Sequence, residues 1–415
     1  MNTPSSPPQA ISPALTGRTT FRTLAQATDR SFLALGIAAR LPTAMLPLGI
    51  LLYVADRTGS FASGGLAVAA LSIGGGVGGP LVGAAADRFG QRPVLLGATL
   101  VQVLGITGFL LLSGPDSLPL TCALAAVIGL ANPQAGAMAR SRWAATARRR
   151  SDRHSFTATA MAYEGAVDES SFVAGPVLVS SIAALASPAV GLGLALLVAV
   201  VAQGGFALHH SALPGRAAGS AASDGHSSAP LPWAHLAGLM VAMAAVGLVF
   251  GSSQTGVAAR LDGLGRDELT GPVYALMGVG SAVAGLLTTR LPRRFGLPAR
   301  IAAGGAGLVL AGLLLAWAST PVALAGACLV AGVALAPALI SSFSLAERAA
   351  PHGWGTTMMT ALATANVVGV AAGAAVSGQL VDRVSPAAGL LVVSVAGALV
   401  LAGGVVSWLV PHHVD

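Results

Sequence analysis

Apolar runs of about twenty residues recur about twelve times along this chain, with cores near 31–54, 62–86, 94–113, 119–140, 158–184, 188–208, 234–256, 269–289, 300–318, 321–345, 356–380 and 387–410. A helix of that length crosses the hydrocarbon core of a bilayer. Within lipid, a backbone must satisfy its own polar groups, which helices do. The composition agrees: 54% of residues are hydrophobic, only 9% are charged, and the mean hydropathy is +0.77. A soluble domain carries about 25% charged residues. The 54 glycines suit membrane helices that approach closely through small side chains. The expectation is an all-α, multi-pass membrane protein with twelve transmembrane helices.

The chain repeats itself. Between the sixth and seventh runs lies HHSALPGRAAGSAASDGHSSAPLP, a Gly/Ser/Ala/Pro-rich stretch without apolar period that reads as a flexible linker. On either side, GVGGPLVGAAADRFGQR (76–92) aligns with GVGSAVAGLLTTRLPRR (278–294), placing Gly76, Gly78, Gly83, Arg88 and Arg92 on Gly278, Gly280, Gly285, Arg290 and Arg294. The predicted organisation is a disordered tail at 1–30, a six-helix bundle at 31–208, a linker at 209–233, a second bundle at 234–410 and a short tail at 411–415. Parallel six-helix repeats are a transporter plan in which substrate binds near the midplane between the halves.

All 22 basic residues are arginines, and their placement explains a pI near 10.8 without nucleic acid. The loops on one side hold most of them, including the ARRRSDRH cluster at 147–154. The other side holds only Arg57, Arg260, Arg266 and Arg383. Positive-inside asymmetry then puts both termini in the cytoplasm, and the composition suggests a bacterial cytoplasmic membrane. Cys122 and Cys328 fall in apolar runs with no metal or disulfide spacing. The adjacent histidines His209-His210 and His412-His413 match no metal-site pattern. No nucleophile–base, HExxH or phosphate-loop pattern appears, so neither an enzyme nor a cofactor is expected.

The fifth run carries three acids, Glu164, Asp168 and Glu169. A charge in lipid costs about 3 kcal/mol by insertion scales, which marks such residues as functional by default. The eleventh run is an internal control. Ala174-Gly175 aligns with Ala372-Gly373 and Ser187-Pro188 with Ser385-Pro386, so Glu164 falls on Leu362, Asp168 on Asn366 and Glu169 on Val367. The equivalent packing position needs no acid. Glu164 and Asp168 share a helix face, while Glu169 is turned about 100° from Asp168. Clustered carboxylates cannot all ionise cheaply, which suits a proton carrier. Arg40 lies roughly 14 Å into the first helix and Asp168 roughly 15 Å into the fifth, at matched depth. The expectation is an Arg40 pair with Asp168 or Glu169, either as counter-charge in proton coupling or as a structural salt bridge. Glu164, nearer the cytoplasm, could be wetted there. Candidates for the substrate cavity are Asn132, Gln134, Tyr163, Gln254 and Asn366.

The loop after the second run reads GAAADRFGQRP, and its Gly83, Asp87, Arg88, Gly90 and Arg92 match the signature between helices 2 and 3 of the major facilitator superfamily. The chain resembles that superfamily over nearly its whole length. The resemblance implies alternating access by rocking of the halves, with the loop biasing one state and Asp87 accepting from an arginine or a helix N-terminus. Gly175-Pro176, where proline removes a backbone bond and kinks the helix, is similar to the Gly-Pro motif in the fifth helix of drug/proton antiporters. Val179-Ser180 departs from that motif, and GLANPQAGAMA (129–139) offers no match to the arginine those antiporters carry in the fourth helix. YEGAVDESSFVAGP also looks like actinobacterial members of the superfamily. The functional expectation is a monomeric secondary transporter that exports a small organic molecule, driven by the proton gradient. Asp168 and Glu169 would carry the proton. The alternatives are uptake or facilitated diffusion of a solute such as a sugar, and a non-transporting sensor on the same fold.

Overall fold

The computed structural model describes residues 21–114, 117–215, 233–288, 292, 295–349 and 355–409. Most of the expected tail at 1–30, most of the linker at 209–233, the end segment at 411–415 with His412-His413, and Arg290 and Arg294 of the repeated loop lie outside the described residues.

The described chain is helical, without strands. After a short helix Phe21–Ala27 come α1 (Arg30–Thr58), α2 (Phe61–Phe89), α3 (Gln91–Leu112), α4 (Leu118–Ala147), α5 (Arg153–Leu185) and α6 (Pro188–Leu208). The second half contains α7 (Trp233–Asp262), α8 (Thr270–Thr288), α9 (Leu297–Trp317), α10 (Pro321–Ala349), α11 (Gly355–Arg383) and α12 (Pro386–Leu409). Among the described residues, 11 helices are long and apolar enough to cross a membrane. The twelfth, α5, has 33 residues but is too polar to count with them, because its length includes Glu164, Asp168, Glu169 and a run of hydroxyls.

Two helices are interrupted where prolines dictate. Helix α1 consists of Arg30–Ala38 and Leu41–Thr58, with a turn at Ala39 and Arg40. Pro42 has no N–H to continue the ladder and disfavours helical geometry at the residue before it. Helix α4 consists of Leu118–Leu130 and Ala135–Ala147, interrupted around Pro133. Gln134 restarts it from a left-handed backbone with φ 52°, uncommon for a residue with a side chain. The expected disruption at Pro176 is different: α5 continues without a break through it. Gly175 there serves close packing, since a Cβ on it would meet the Cβ of Ala44 in α1 at 2.6 Å.

The fourth run does not end near 140 as the sequence suggested. Its second piece extends to Ala147, which places Arg140 and Arg142 within the helix rather than in a loop. Both are bound by the protein, Arg140 by Asp168. Arg142 donates from Nε to Gln91 Oε1 (2.7 Å) and from Nη1 to the Phe206 carbonyl (3.1 Å), and its guanidinium lies 3.9 Å from the Phe206 ring centroid.

The halves meet at the arginine-poor end. Gly65 in α2 abuts the Ala374 carbonyl of α11, Gly378 abuts Phe61, and Gly271 in α8 abuts Pro176 and Ser180 of α5. Asp382, at the end of α11, caps the start of α2: its carboxylate accepts from Ser60 Oγ (2.6 Å), Phe61 N (3.1 Å) and Ala62 N (3.0 Å). A carboxylate at a helix N-terminus satisfies orphan donors and complements the helix dipole. Towards the arginine-rich end the halves part around a cavity.

Candidate functional site

The cavity has a volume of about 1180 Å³ and lies between α1, α2 and α4 of one half and α10 and α11 of the other. Its wall includes Thr43, Ser72, Asn132, Gln134, Thr360 and Thr364, with Leu46, Phe343, Met359 and Val367 as apolar surface. Helix α2 contributes a glycine strip of Gly75, Gly76 and Gly79, which admits Val367 against Gly76 and the Gln134 amide against Gly79. Among the described residues, Arg140 is the one charged residue on the wall.

Thus Asn132 and Gln134 lie where the sequence placed them, and three other candidates do not. Tyr163 packs edge-on against Trp143 with ring centroids 6.2 Å apart. Gln254 is buried inside the second half. Asn366 turns away from the wall and donates to the Met243 carbonyl of α7 (3.3 Å). For Tyr163 and Asn366 an internal contact outcompetes the aqueous space.

Behind Arg140 lies a network of four charges. Arg40 Nε donates to Asp168 Oδ1 at 2.7 Å, its Nη2 pairs with Glu164 Oε2, and its Nη1 donates to the Gly36 carbonyl. The break in α1 makes that last contact available: Arg40 N bonds to Ile37 instead, so Gly36 lacks its usual helical partner. Gln203 Nε2 donates to the Ala39 carbonyl from a π-helical stretch of α6 (3.3 Å). Arg140 Nη2 pairs with Asp168 Oδ2. Glu164 also accepts from Trp143 Nε1 at 2.7 Å. Arginine's planar fork suits such bridging of two carboxylates. Small residues admit it: a Cβ on Gly136 would lie 3.2 Å from both Arg40 Nε and Asp168 Oδ1.

The network corrects the sequence reading in three respects. Arg40 takes Glu164 and Asp168, not Glu169. Glu164 is 1% exposed and bonded to Arg40 and Trp143, so it is not a wetted surface acid. Arg140, counted among the loop arginines, is the second counter-charge. Its signal was present in the spacing: Arg140 follows Gly136 by one helical turn, on a piece of α4 that hydropathy alone cut short.

Glu169 has no hydrogen bond or ion pair among the described residues. It shares a face of α5 with Val173, Pro176 and Ser180, which pack on α8: Val173 meets Gly278, and Pro176 and Ser180 meet Gly271. In that antiparallel register Glu169 comes level with Ala282. It therefore stands one turn beyond the last of these contacts, at the seam where the halves part.

In the signature loop Asp87 is exposed and makes no hydrogen bond or ion pair among the described residues, so the acceptor expected of it has no described partner. Arg88 lies over Phe89 (5.2 Å) and Arg92 is exposed. Gly83 has open space around it. Gly90 has φ 93°, and a Cβ there would meet Gly215. The neighbouring Gln91 is the tied residue, bonded to Arg142, to Ser141 Oγ (2.7 Å) and to Leu213. Near it, ligand atoms of Asp29, His209 and His210 lie within 4.8 Å of one another. Both His209 nitrogens are already taken, by Ser31 (3.0 Å) and Ser211 (2.8 Å). Burial, then His210 and Arg142, hold its pKa below the ordinary histidine value.

Residues 32–374 match the family model of the Major Facilitator Superfamily. A search of curated proteins finds no match. Among solved structures, the nucleoside transporter NupG superposes with a TM-score of 0.72 at 14% identity, covering 91% of this chain and 99% of that one. A bacterial homologue of the iron transporter ferroportin, in an inward-facing state, gives 0.66 at 17% identity over 94% and 99%. The human organic anion transporter MFSD10 gives 0.59 at 19% identity over 94% and 100%.

Proposed function

This chain belongs to the major facilitator superfamily, and from that premise we propose that it is a proton-coupled secondary transporter of a small organic molecule, working by alternating access. The observation that carries the reading is the four-charge network against the cavity together with the lone Glu169 at the seam. Arg40 and Arg140 balance Glu164 and Asp168, so the wall is electrically closed until a substrate or a proton enters. A lone carboxylate at a helix contact is far less costly neutral than ionised. Closing α5 against α8 would then be tied to proton occupancy of Glu169. Asp168 and Glu169 carry the proton in this reading, Arg40 is the counter-charge, and no cofactor is involved.

The arginine-rich end, where the cavity lies, is read as cytoplasmic by the positive-inside rule. The conformation is then inward-open, with the Asp382 cap as the outer closure and Asp87 as the inner one waiting to form. The Gly175-Pro176 likeness favours export by exchange with protons. Uptake together with protons is the second reading, favoured by the Arg140–Asp168 pair: a substrate that draws Arg140 away leaves an acid to be neutralised.

Proteoliposomes decide between them. Flux of a solute found by thermal-shift screening should accelerate under an imposed pH gradient. Accumulation against the proton flow indicates exchange, and accumulation with it indicates co-transport. Equal flux with and without the gradient contradicts proton coupling, and no flux of any bound solute favours a sensor.

A further inference from the structure

We propose that the cavity takes a small organic anion, whose acid group is received by Arg140 in exchange for Asp168 and whose hydrogen-bonding body is read by Gln102, Asn132 and Gln134. The proposal rests on the transport reading and names its substrate class.

The first observation is the sign of the wall. Among the described residues, Arg140 is its only charged residue and is 39% exposed, whereas Asp168, 28% exposed, is paired with it and Glu164 is 1% exposed behind it. Asp168 is already held by Arg40 and Arg140, so a cationic ligand would find no free carboxylate on the described wall. Arg140 bonds Asp168 through Nη2 alone, leaving donors on Nε and Nη1 without protein partners among the described residues. Guanidinium binds carboxylate, sulfonate or phosphate groups by two parallel bonds, so an incoming anion can compete with Asp168.

The second observation is independent. Gln102 of α3 lies along the cavity, is 0% exposed, and has no partner for either Nε2 or Oε1. A buried amide without partners costs about 1–3 kcal/mol. Such an arrangement is expected where a ligand supplies the missing bonds. Gln134 is held on the wall by a left-handed backbone, a strained conformation of the kind found at ligand sites. Asn132 is oriented by Thr43, whose Oγ1 donates to its Oδ1 at 2.9 Å. Donors and acceptors thus line the cavity beside Gly75 of α2.

Charge balance gives a further consequence. With Arg40, Arg140, Glu164 and Asp168 neutral as a set, a bound monoanion adds one negative charge, while Glu169 on the adjoining face adds no cation. Taking up a proton with the anion restores neutrality. Anion and proton would therefore enter the site together, which favours the co-transport reading over exchange.

The test uses the purified full-length protein in nanodiscs and matched ligands differing only in charge: 3-phenylpropionate, 3-phenylpropionamide and 3-phenylpropylamine, with indole-3-acetate, its amide and tryptamine as a second set. The carboxylates should raise the melting temperature, the amides and amines should not, and weakly buffered samples should show proton uptake on carboxylate addition. Arg140→Gln should weaken carboxylate binding about tenfold or more, as expected for loss of a charge-assisted pair. Gln102→Leu guards against misfolding: it should raise the melting temperature without ligand while weakening carboxylate binding. Preference for the amines, no shift from either carboxylate, or carboxylate binding unchanged in Arg140→Gln would each overturn the assignment. Gradient-driven flux of an amine would sink the anion class and leave the transporter standing. Arg140-dependent carboxylate binding without flux would do the reverse.

Discussion

Helices α5 and α11 occupy equivalent places in the two halves, yet they meet their partners by different means. In the second half, α11 lies on α7 backbone to backbone. A Cβ on Gly369 would run into the Ala244 carbonyl, one on Gly373 into that of Leu248, and one on Gly247 into that of Asn366. In the first half, Gly175 makes a comparable approach to Ala44, but where α11 has Gly369 the aligned residue of α5 is Ser171. The arginine-rich part of that contact is filled by Arg40, Glu164 and Asp168 instead. One fold thus solves the same helix pair twice, once with small residues and once with buried ions. Since glycine packing suffices in one half, stability does not explain the ions in the other.

The largest effect is expected on removing the ion that holds both acids. Arg40→Ala strands Glu164 and Asp168, and breaking a buried pair in this way costs ~3–5 kcal/mol. Thermal unfolding in detergent should show it, with Arg40→Ala/Glu164→Gln recovering part of the loss. A drop no greater than that of a surface substitution would mean that losing Arg40 does not strand Glu164 and Asp168.

Next in size is the exchange of solutions between halves. Gly369→Ser places the α5 residue in α11, where it must displace the Ala244 backbone, at a cost of about 1–3 kcal/mol. Ser171→Gly, the reciprocal change, should be milder, because Ser171 bonds only within its own helix, to the Val167 carbonyl at 2.8 Å. Equal costs would show that the two interfaces are not packed differently.

A smaller effect is expected at the closed end. Asp382→Ala removes the α2 cap, worth about 1 kcal/mol, and should shift the population towards the state open at the arginine-poor end. Cysteine labelling at Ser63 should rise. Unchanged labelling would remove Asp382 from the gate.

The smallest is Asp87→Ala. This exposed, unpartnered residue should change stability by no more than about 0.5 kcal/mol. It should nevertheless slow exchange between states, which single-molecule distance measurements across the arginine-rich face can follow. A loss of ligand affinity with unchanged exchange would contradict a latch role.

Much of this was legible in the sequence, for identifiable reasons. Spanning length and the 76–92/278–294 repeat give the two-half bundle, because lipid leaves helices as the simple solution and duplicated loops keep their glycines. Depth alone offered Arg40 a pair with Asp168 or Glu169, of which the structure has Asp168. Glu164 was misplaced because distance along a helix does not tell whether a neighbour such as Trp143 covers the side chain. Arg140 was missed because hydropathy ends a helix at its first arginines, whereas α4 continues when Asp168 and Gln91 receive them. The proline breaks at Ala39–Arg40 and Pro133 bring the charges to the cavity. The runs 31–54 and 119–140 were read as unbroken, and nothing in the sequence shows that an arginine would answer the freed Gly36 carbonyl. Tyr163, Gln254 and Asn366 were polar residues whose partners lay on helices whose rotation the sequence does not define.

The central claim is that the acids of α5 couple transport to protons rather than hold the helix in place. It is tested most directly by comparing two modes of transport in Glu169→Gln proteoliposomes, using a solute that the unaltered protein carries. Counterflow needs no net proton movement, whereas uphill flux under a pH gradient does. The account predicts that counterflow persists near its original rate while gradient-driven accumulation is lost. Full retention of gradient-driven accumulation in Glu169→Gln would contradict it.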